Sequence, residues 1–345
     1  MINRDQISNL REIISKSQGR DHEQKNTVRN HSEEVQNVAV PPGQLRFLHN
    51  KLNAQKNMSA AVTQTQPART IAVTSGKGGV GKTNFVANLG ISLARHGKKV
   101  LLIDADLGLA NIDVVFGIRP KFNLFHVITG QKNISEIIIE GPDGILIVPG
   151  GSGITELANL KESERKHFIS EMSALEKKVD IILVDTSAGI NDNVIYFLKA
   201  CSEIIVLTIP EPPAMADAYG VIKALAMNDN SLEQIVTLVV NRVNSPAEAR
   251  DVYERLSIVS RRFLNIKIED GGYIYEDKSV SSSVRAQKPF ISAFPYSRAA
   301  ECVEKIGSDL IKEESKLTLK NPDKINERLK KGFFSLFHKI GELFD

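Results

Sequence analysis

Residues 70–83 place an apolar strand, a glycine-rich turn and the start of a helix in direct succession, and this order strongly constrains the fold. Four of these residues fit the spacing G-x-x-x-x-G-K-(S/T), namely Gly76, Gly81, Lys82 and Thr83. Glycine lets backbone N–H groups turn inward around an anion, and a helix N-terminus adds partial positive charge. The stretch therefore predicts a phosphate-binding loop (P-loop), with a glycine-rich turn that binds nothing as the plain alternative.

The residue types in this loop suit ATP with Mg²⁺. Lys82 supplies a point charge for the β- and γ-phosphates, and the Thr83 hydroxyl can bind the metal ion. The residues of the loop that are predicted to bind the nucleotide are Gly76, Lys77, Gly78, Gly79, Val80, Gly81, Lys82, Thr83 and Asn84. The segment that follows has apolar residues at helical spacing, which favours the P-loop over the plain turn.

Short apolar, β-branched runs alternate with amphipathic segments from residue 70 to about residue 311. The runs predicted as strands buried on both faces are 99–103, 144–148, 180–184, 203–209 and 234–240. The segments with helical periodicity include 163–177, 192–200 and 214–227. This alternation predicts an α/β domain over residues 70–315, with a doubly wound, mainly parallel sheet that binds ligands at the carboxyl ends of its strands.

Three aspartates follow predicted strands at such carboxyl ends. Asp104 and Asp106 come after one strand, and Asp185 comes after another. Because Mg²⁺ keeps several waters and takes one or two carboxylates, Asp104 and Asp185 are predicted to support the metal, directly or through water. Asp106 suits orientation of the attacking water. A single aspartate at such a place is usually a helix cap or turn former, but three beside a P-loop favour a catalytic site.

The composition of the 345-residue chain narrows the class of protein. A net charge of +3 is too small to argue for a nucleic-acid partner by itself. Cys201 and Cys302 have no metal-binding or redox spacing, which predicts reduced residues in a cytosolic protein. Residues 1–18 contain no secretory apolar region, and no apolar run approaches the ~18 residues of a membrane span. The sequence predicts a cytoplasmic protein that reaches a membrane only by docking on its surface.

The N-terminal part of the chain differs from the predicted domain. Residues 1–18 have apolar positions at helical spacing, whereas residues 19–69 are polar and lack sustained periodicity. We predict a helix on a flexible linker. Because such a helix is not needed to complete a core, its apolar face is predicted to bind a partner, and a poorly ordered tail is the alternative.

The last segment, residues 320–345, has bulky apolar residues on one predicted helix face and lysines beside it. The residues predicted to contact a membrane are Phe333, Phe334, Leu336, Phe337, Ile340, Lys330 and Lys331. This amphipathic pattern suits a helix that lies on anionic lipid. The alternative is a C-terminal helix that packs on the domain's own core.

The segment 77–83 resembles the deviant Walker A motif of the MinD/ParA ATPases. In that family the extra lysine reaches across a dimer to the partner's nucleotide, so the resemblance implies an ATP-dependent homodimer. It also implies that Lys77, Lys82 and Asp106 are catalytic, because residues 104–108 resemble a switch segment whose second aspartate is the hydrolytic one. A solvated loop lysine is the alternative for Lys77.

Several other segments and single residues also resemble positions with a known role in this family. Residues 185–189 resemble its second switch segment. Asn241 and Arg242, at the end of a predicted strand, match the position that contacts adenine. Asp217 matches an aspartate that helps to couple partner binding to hydrolysis.

Three further stretches resemble the FlhG branch of the family, whose members regulate flagellar number. Asn84 follows the P-loop threonine, and residues 272–277 and 284–290 resemble the C-terminal pattern of this branch. Tyr275 departs from that pattern, because a proline is often found there.

The N-terminus resembles the D-Q-x-x-x-L-R element of the same branch, which stimulates the flagellar signal-recognition-type GTPase FlhF. The residues that fit this element are Asp5, Gln6, Leu10 and Arg11. The partners implied are a second copy of the chain in the ATP state, FlhF and anionic membrane lipids. Flagellar C-ring proteins and a transcription regulator are further candidates, and no nucleic-acid partner is expected.

The sequence thus predicts an ATPase switch, reversibly bound to the inner membrane face, that controls flagellar number or placement. Its hydrolysis is predicted to be slow and partner-stimulated. A ParA- or MinD-type ATPase for DNA partition or division-site positioning is one alternative, although DNA binding needs a basic stripe that the small net charge does not favour. A scaffold that binds nucleotide without turnover is the other.

Overall fold

The computed structural model describes residues 68–106, 111–151, 170–172, 175, 178–227 and 234–320. All of them belong to the unit that spans residues 65–345. The predicted N-terminal helix, the predicted linker up to residue 67 and the predicted membrane segment after residue 320 lie outside the described residues. The hypotheses on those segments stay predictions.

The described residues form one sheet of eight strands. In chain order these are β1 (Arg69–Ser75), β2 (Val100–Ala105), β3 (Ile139–Glu140), β4 (Leu146–Val148), β5 (Ile181–Ala188), β6 (Glu203–Thr208), β7 (Ile235–Val243) and β8 (Ile268–Tyr275). Their spatial order is β3-β4-β2-β5-β1-β6-β7-β8. Neighbouring strands are parallel except β3 and β4, which confirms the predicted doubly wound, mainly parallel sheet.

Helices connect the strands and cover the sheet. They are α1 (Lys82–Arg95), α2 (Ile112–Phe116), α3 (Leu124–Ile128), α4 (Ile134–Ile137), α5 (Asp192–Ala200), α6 (Pro212–Met227), α7 (Pro246–Leu264), α8 (Lys278–Arg285), α9 (Phe290–Ala293) and α10 (Arg298–Lys320). Within the described ranges, no helix combines the length and apolar character needed to cross a membrane.

Both faces of the sheet are buried, which explains why its central strands are continuous apolar runs. Along β5, Ile182 and Val184 belong to one core layer, whereas Ile181 and Leu183 belong to the other. The first layer includes residues of α5, α6 and α7, and the second includes residues of α1 and α10. The sheet therefore lies between two helical layers, and its carboxyl edge stays accessible for a site.

β1 begins at Arg69, one residue before the predicted domain start. The Arg69 guanidinium donates to the Glu203 carboxylate through Nε at 2.5 Å and Nη2 at 2.6 Å. Its Nη1 donates to the Leu310 carbonyl at 2.9 Å. These bonds join β1, β6 and α10, so the residue that the sequence assigned to the linker is part of the folded edge of the domain.

The two cysteines lie in this fold without a disulfide. Cys201 is buried, and Cys302 is half-buried on α10. Burial raises the pKa of the Cys201 thiol to about 12, so this side chain stays a neutral core residue at physiological pH.

Candidate nucleotide site

The loop between β1 and α1 is shaped by glycine and held by the end of β7. Gly81 has φ +96° at the N-cap of α1, in the left-handed region that favours glycine. A Cβ at Gly81 would stand 2.6 Å from Asn241 Nδ2. That amide donates to the Val80 carbonyl at 2.7 Å. Asn241 therefore fixes the P-loop from one side, and only glycine fits beside it.

The start of the loop is packed against α6. A Cβ at Gly76 would stand 2.2 Å from the backbone carbonyl carbon of Asp217. No side chain fits in that space, so the backbone of α6 lies directly against the P-loop. The Asp217 residue itself is exposed. It does not line the nucleotide cavity described below.

Lys82 and Asp185 form a buried ion pair at the base of the loop. Lys82 Nζ contacts Asp185 Oδ1, and the two side chains are 8% and 0% exposed. Burial raises the pKa of Asp185, and the Lys82 ammonium opposes that rise. The second oxygen, Asp185 Oδ2, is buried without a hydrogen-bond partner. A buried carboxylate oxygen with no partner is the kind of ligand that Mg²⁺ or a water bound to it would satisfy.

Asp104 lies beside Asp185, because β2 and β5 pair these two residues in register. Its carboxylate accepts backbone N–H groups from Asp106 at 3.1 Å, Asn111 at 3.0 Å and Ile112 at 3.2 Å. Burial and then the Asp185 charge raise the pKa of Asp104 to about 7, despite those three bonds. Two neighbouring buried carboxylates disfavour their charged forms, and a divalent cation relieves that cost.

A cavity of about 660 Å³ opens above these acids at the carboxyl edge of the sheet. The P-loop residues that line it are Gly78, Gly79, Gly81, Lys82, Thr83 and Asn84. The other predicted residues that line it are Asp106, Asn241 and Arg242. Asp104 and Asp185 are buried and do not themselves line it. The donor set, the partnerless Asp185 oxygen and the glycine-shaped loop all fit ATP with Mg²⁺.

Asp106 is half-buried at the mouth of this cavity, directly after β2. Residues 107–110, which complete the predicted switch segment, lie outside the described part of the chain. Asp106 lines the cavity together with the P-loop, and this position suits contact with a water near the terminal phosphate.

Lys77 does not line the cavity. Its ammonium lies 2.8 Å from Glu211 Oε2, in an ion pair at the start of α6. Glu211 is not among the site residues predicted from the sequence. Glu211 lies a few residues beyond the end of β6. An acid after the carboxyl end of a strand is the pattern from which Asp104 and Asp185 were predicted, so the same pattern could have indicated Glu211.

Arg242 and the end of β8 form a second wall of the cavity. Arg242 has φ +58°, a left-handed conformation that is uncommon for a residue with a side chain. Its Nε lies 3.8 Å from Glu276 Oε2, in an exposed ion pair. Tyr275 lines the same wall, together with Val280 and Val284 of α8. This wall is suited to the base and ribose of a nucleotide, since the P-loop occupies the other side.

This chain is similar in sequence and in fold to several known proteins. A family model described as an AAA domain matches residues 68–237. Antiactivator FleN of Pseudomonas aeruginosa is 40% identical over 234 residues, which are 68% of this chain and 83% of FleN. Flagellum site-determining protein YlxH of Helicobacter pylori is 34% identical over 296 residues, which are 85% of this chain and 98% of YlxH. The structure of septum site-determining protein MinD from Pyrococcus horikoshii, complexed with Mg-ADP, matches with a TM-score of 0.57 and 25% identity over 70% of this chain and 96% of that one.

Proposed function

This chain belongs to the MinD/ParA family of P-loop ATPases, which use ATP and Mg²⁺, and from that premise we propose that it is an ATP-dependent switch controlling flagellar number or placement. The observation that carries the proposal is the extent of its similarity to FleN and YlxH. One is named an antiactivator and the other a flagellum site-determining protein, and YlxH matches over 85% of this chain.

In this proposal each residue of the site has one task. Lys82 binds the β- and γ-phosphates, which draws its ammonium away from Asp185. Asp185, Asp104 and Thr83 hold Mg²⁺, directly or through water; the bound cation neutralises charge on the phosphates. Asp106 orients the attacking water. The Asn241 and Arg242 pair contacts adenine.

The switch itself is a change of oligomeric state. We propose that ATP brings two chains together and that Lys77 then leaves Glu211 for the nucleotide of the partner subunit. Hydrolysis is slow until a partner stimulates it, and Asp217 takes part in that coupling. The close packing of Gly76 on Asp217 supports this role, because a partner that moves α6 also moves the P-loop.

In this proposal the two terminal segments bind the membrane and the partner protein. Residues 320–345 hold the ATP dimer on anionic lipid at the inner face of the membrane, since two weak anchors in one dimer bind with avidity. Residues 1–18 activate the GTPase FlhF through the element formed by Asp5, Gln6, Leu10 and Arg11. Flagellar C-ring proteins and a transcription regulator are further candidate partners.

The variant Asp106→Ala tests the switch in solution. It should bind ATP and remain a dimer, while phosphate release falls by roughly 100-fold, as expected when a group that positions the nucleophile is removed. Light scattering after size exclusion in ATP measures the dimer. Asp251→Ala is the matched control, because Asp251 pairs with Arg255 on the exposed face of α7. A wild-type hydrolysis rate in Asp106→Ala would show that the catalytic assignment is wrong.

A cell experiment separates flagellar control from division-site positioning, to which the MinD similarity points. A deletion strain is complemented with wild type, Lys82→Ala or Asp106→Ala, and flagella and septa are counted by electron microscopy. Altered flagellar number with normal septa is the expected result. Displaced septa with normal flagella would favour the division-site function, and a full rescue by Lys82→Ala would reject an ATP-dependent switch of either kind.

A further inference from the structure

Tyr275, the last residue of β8, forms part of the nucleotide cavity wall and has an unusual setting. The Arg298 guanidinium carbon lies 3.6 Å from the centre of its ring. Arg298 is not among the residues that line the cavity, although Tyr275 is. Tyr275 therefore lines the cavity while one face of its ring is covered by a guanidinium from outside the cavity lining.

A second aromatic residue also supports this ring from outside the cavity. The Tyr273 ring meets it edge to face, with centroids 5.3 Å apart and an interplanar angle of 82°. A hydrogen bond with Tyr275 raises the pKa of the Tyr273 hydroxyl. The neighbouring Asp277 accepts the Ala299 backbone N–H at 3.2 Å, which ties the first turn of α10 to the residues after β8. This bond holds the residue that follows Arg298 close to the end of β8.

We propose that Tyr275 is the platform on which the nucleotide base stacks and that Arg298 is a positioning residue that holds this platform in place. This inference rests on ATP binding at the proposed site, and it identifies the residue that contacts the face of the base. A ring that is covered on one face by a cation and contacted at its side by Tyr273 is fixed before the nucleotide binds, so little rotamer freedom is lost on binding.

A stacking platform selects by contact area and not by hydrogen bonds. A purine covers more of a phenol ring than a pyrimidine does, so Tyr275 favours purine nucleotides over pyrimidine nucleotides. It does not by itself separate adenine from guanine. The triphosphate is held separately by the P-loop, so base affinity and phosphate affinity can be measured apart.

The test compares ATP, CTP and inorganic tripolyphosphate, each with Mg²⁺, by calorimetry on the full chain. Tyr275→Ala should bind ATP roughly tenfold more weakly, because a base–aromatic stack contributes on that order, and tripolyphosphate unchanged. Tyr275→Phe should retain nearly all ATP affinity. Arg298→Ala should weaken ATP by about threefold, again without effect on tripolyphosphate. Wild type should prefer ATP to CTP, and Tyr275→Ala should lose most of that preference.

Arg262→Ala is the matched control, because the Arg262 guanidinium lies 5.5 Å from the Phe263 ring on α7, outside the cavity. Wild-type ATP affinity in Tyr275→Ala would overturn the proposal, and so would an equal loss of ATP and tripolyphosphate, which would mean that the ring only supports the fold. Failure of wild type to dimerise in ATP would overturn the proposed switch while leaving the platform intact.

Discussion

The Lys77 ammonium lies 2.8 Å from the Glu211 carboxylate of the same chain. The lysine that the family resemblance assigns to a partner's nucleotide is therefore paired with a carboxylate of its own chain. The Lys77 side chain is 33% exposed and the Glu211 side chain is 56% exposed, so solvent screens this ion pair and it contributes at most about 1 kcal/mol. Lys77 can leave Glu211 at small cost once a second nucleotide offers it more negative charge.

Glu211→Gln should shift the dimer equilibrium by removing this competing contact. If the pair holds Lys77 in the monomer, the variant should dimerise in ATP at roughly two- to fivefold lower protein concentration at low salt. The gain should shrink above 0.5 M salt, since an exposed ion pair is screened. Sedimentation equilibrium measures the midpoint, and Glu136→Gln, which removes the exposed pair with Lys132, is the control. Weaker dimerisation of Glu211→Gln would instead assign Glu211 to the dimer itself.

Lys82→Ala should lose both nucleotide binding and stability. Asp185 is 0% exposed, so removal of its cation leaves a buried carboxylate without compensation, at a cost of about 3–5 kcal/mol in the free energy of unfolding. The double variant Lys82→Ala with Asp185→Asn should recover much of that stability and still fail to bind ATP. Urea unfolding and ATP calorimetry on the same samples separate the two effects. Equal stability of the single and double variants would contradict the buried pair as described.

The sequence allowed much of this fold to be predicted, because the central strands are buried on both faces and read as apolar runs. β8 was not predicted as a strand, since Asp270, Gly271 and Gly272 interrupt its apolar pattern. A strand at the edge of the sheet pairs with one neighbour only, and it tolerates such residues.

The site was predictable to a similar degree. Asp104 and Asp185 could be placed together because parallel strands end at the same edge. Two contacts of the P-loop with α6 and the residue before it could not be predicted. They are the contact of Lys77 with Glu211 and the contact of Gly76 with Asp217. They depend on where the backbone of α6 starts relative to the P-loop, which is a tertiary feature without a periodic signal.

The pH dependence of stability should report on Asp104 in the metal-free chain. Its pKa is about 7 in the folded chain against an ordinary value of 3.8, so the folded state takes up a proton that the unfolded state does not. Stability should therefore rise as the pH falls from 8 towards 5.5, with a slope of at most about 1.4 kcal/mol per pH unit from this group. Urea unfolding in EDTA at several pH values measures the slope. Asp104→Asn should flatten it, and an unchanged slope in that variant would assign the proton uptake elsewhere.

Gly76→Ala should be strongly destabilising, because its Cβ would stand 2.2 Å from the Asp217 backbone, which cannot move without shifting α6. We expect a loss of at least about 2 kcal/mol in the free energy of unfolding, as for other cases of overpacking. Gly220→Ala on the same helix is the control, since a Cβ there meets nothing within 4 Å. It should be neutral or stabilising by up to about 1 kcal/mol. Thermal unfolding of the two variants measures the difference, and equal melting temperatures would refute the close packing of α6 on the loop.

The membrane hypothesis is tested by co-sedimentation with anionic liposomes in ATP and in ADP. The chain that ends after Lys320 is a suitable truncation, because it keeps every described residue of α10. Full-length protein should sediment with liposomes in ATP, and the truncated chain should stay in the supernatant while keeping its ATP affinity. Binding should weaken with neutral lipid or raised salt, since Lys330 and Lys331 provide the electrostatic part of the attraction. Full-length Lys82→Ala should remain unbound in both nucleotides, because it does not reach the ATP-bound state. Equal sedimentation of the full and truncated chains would show that residues 321–345 do not make the membrane contact. The alternative, a C-terminal helix that packs on the domain's own core, would then be favoured.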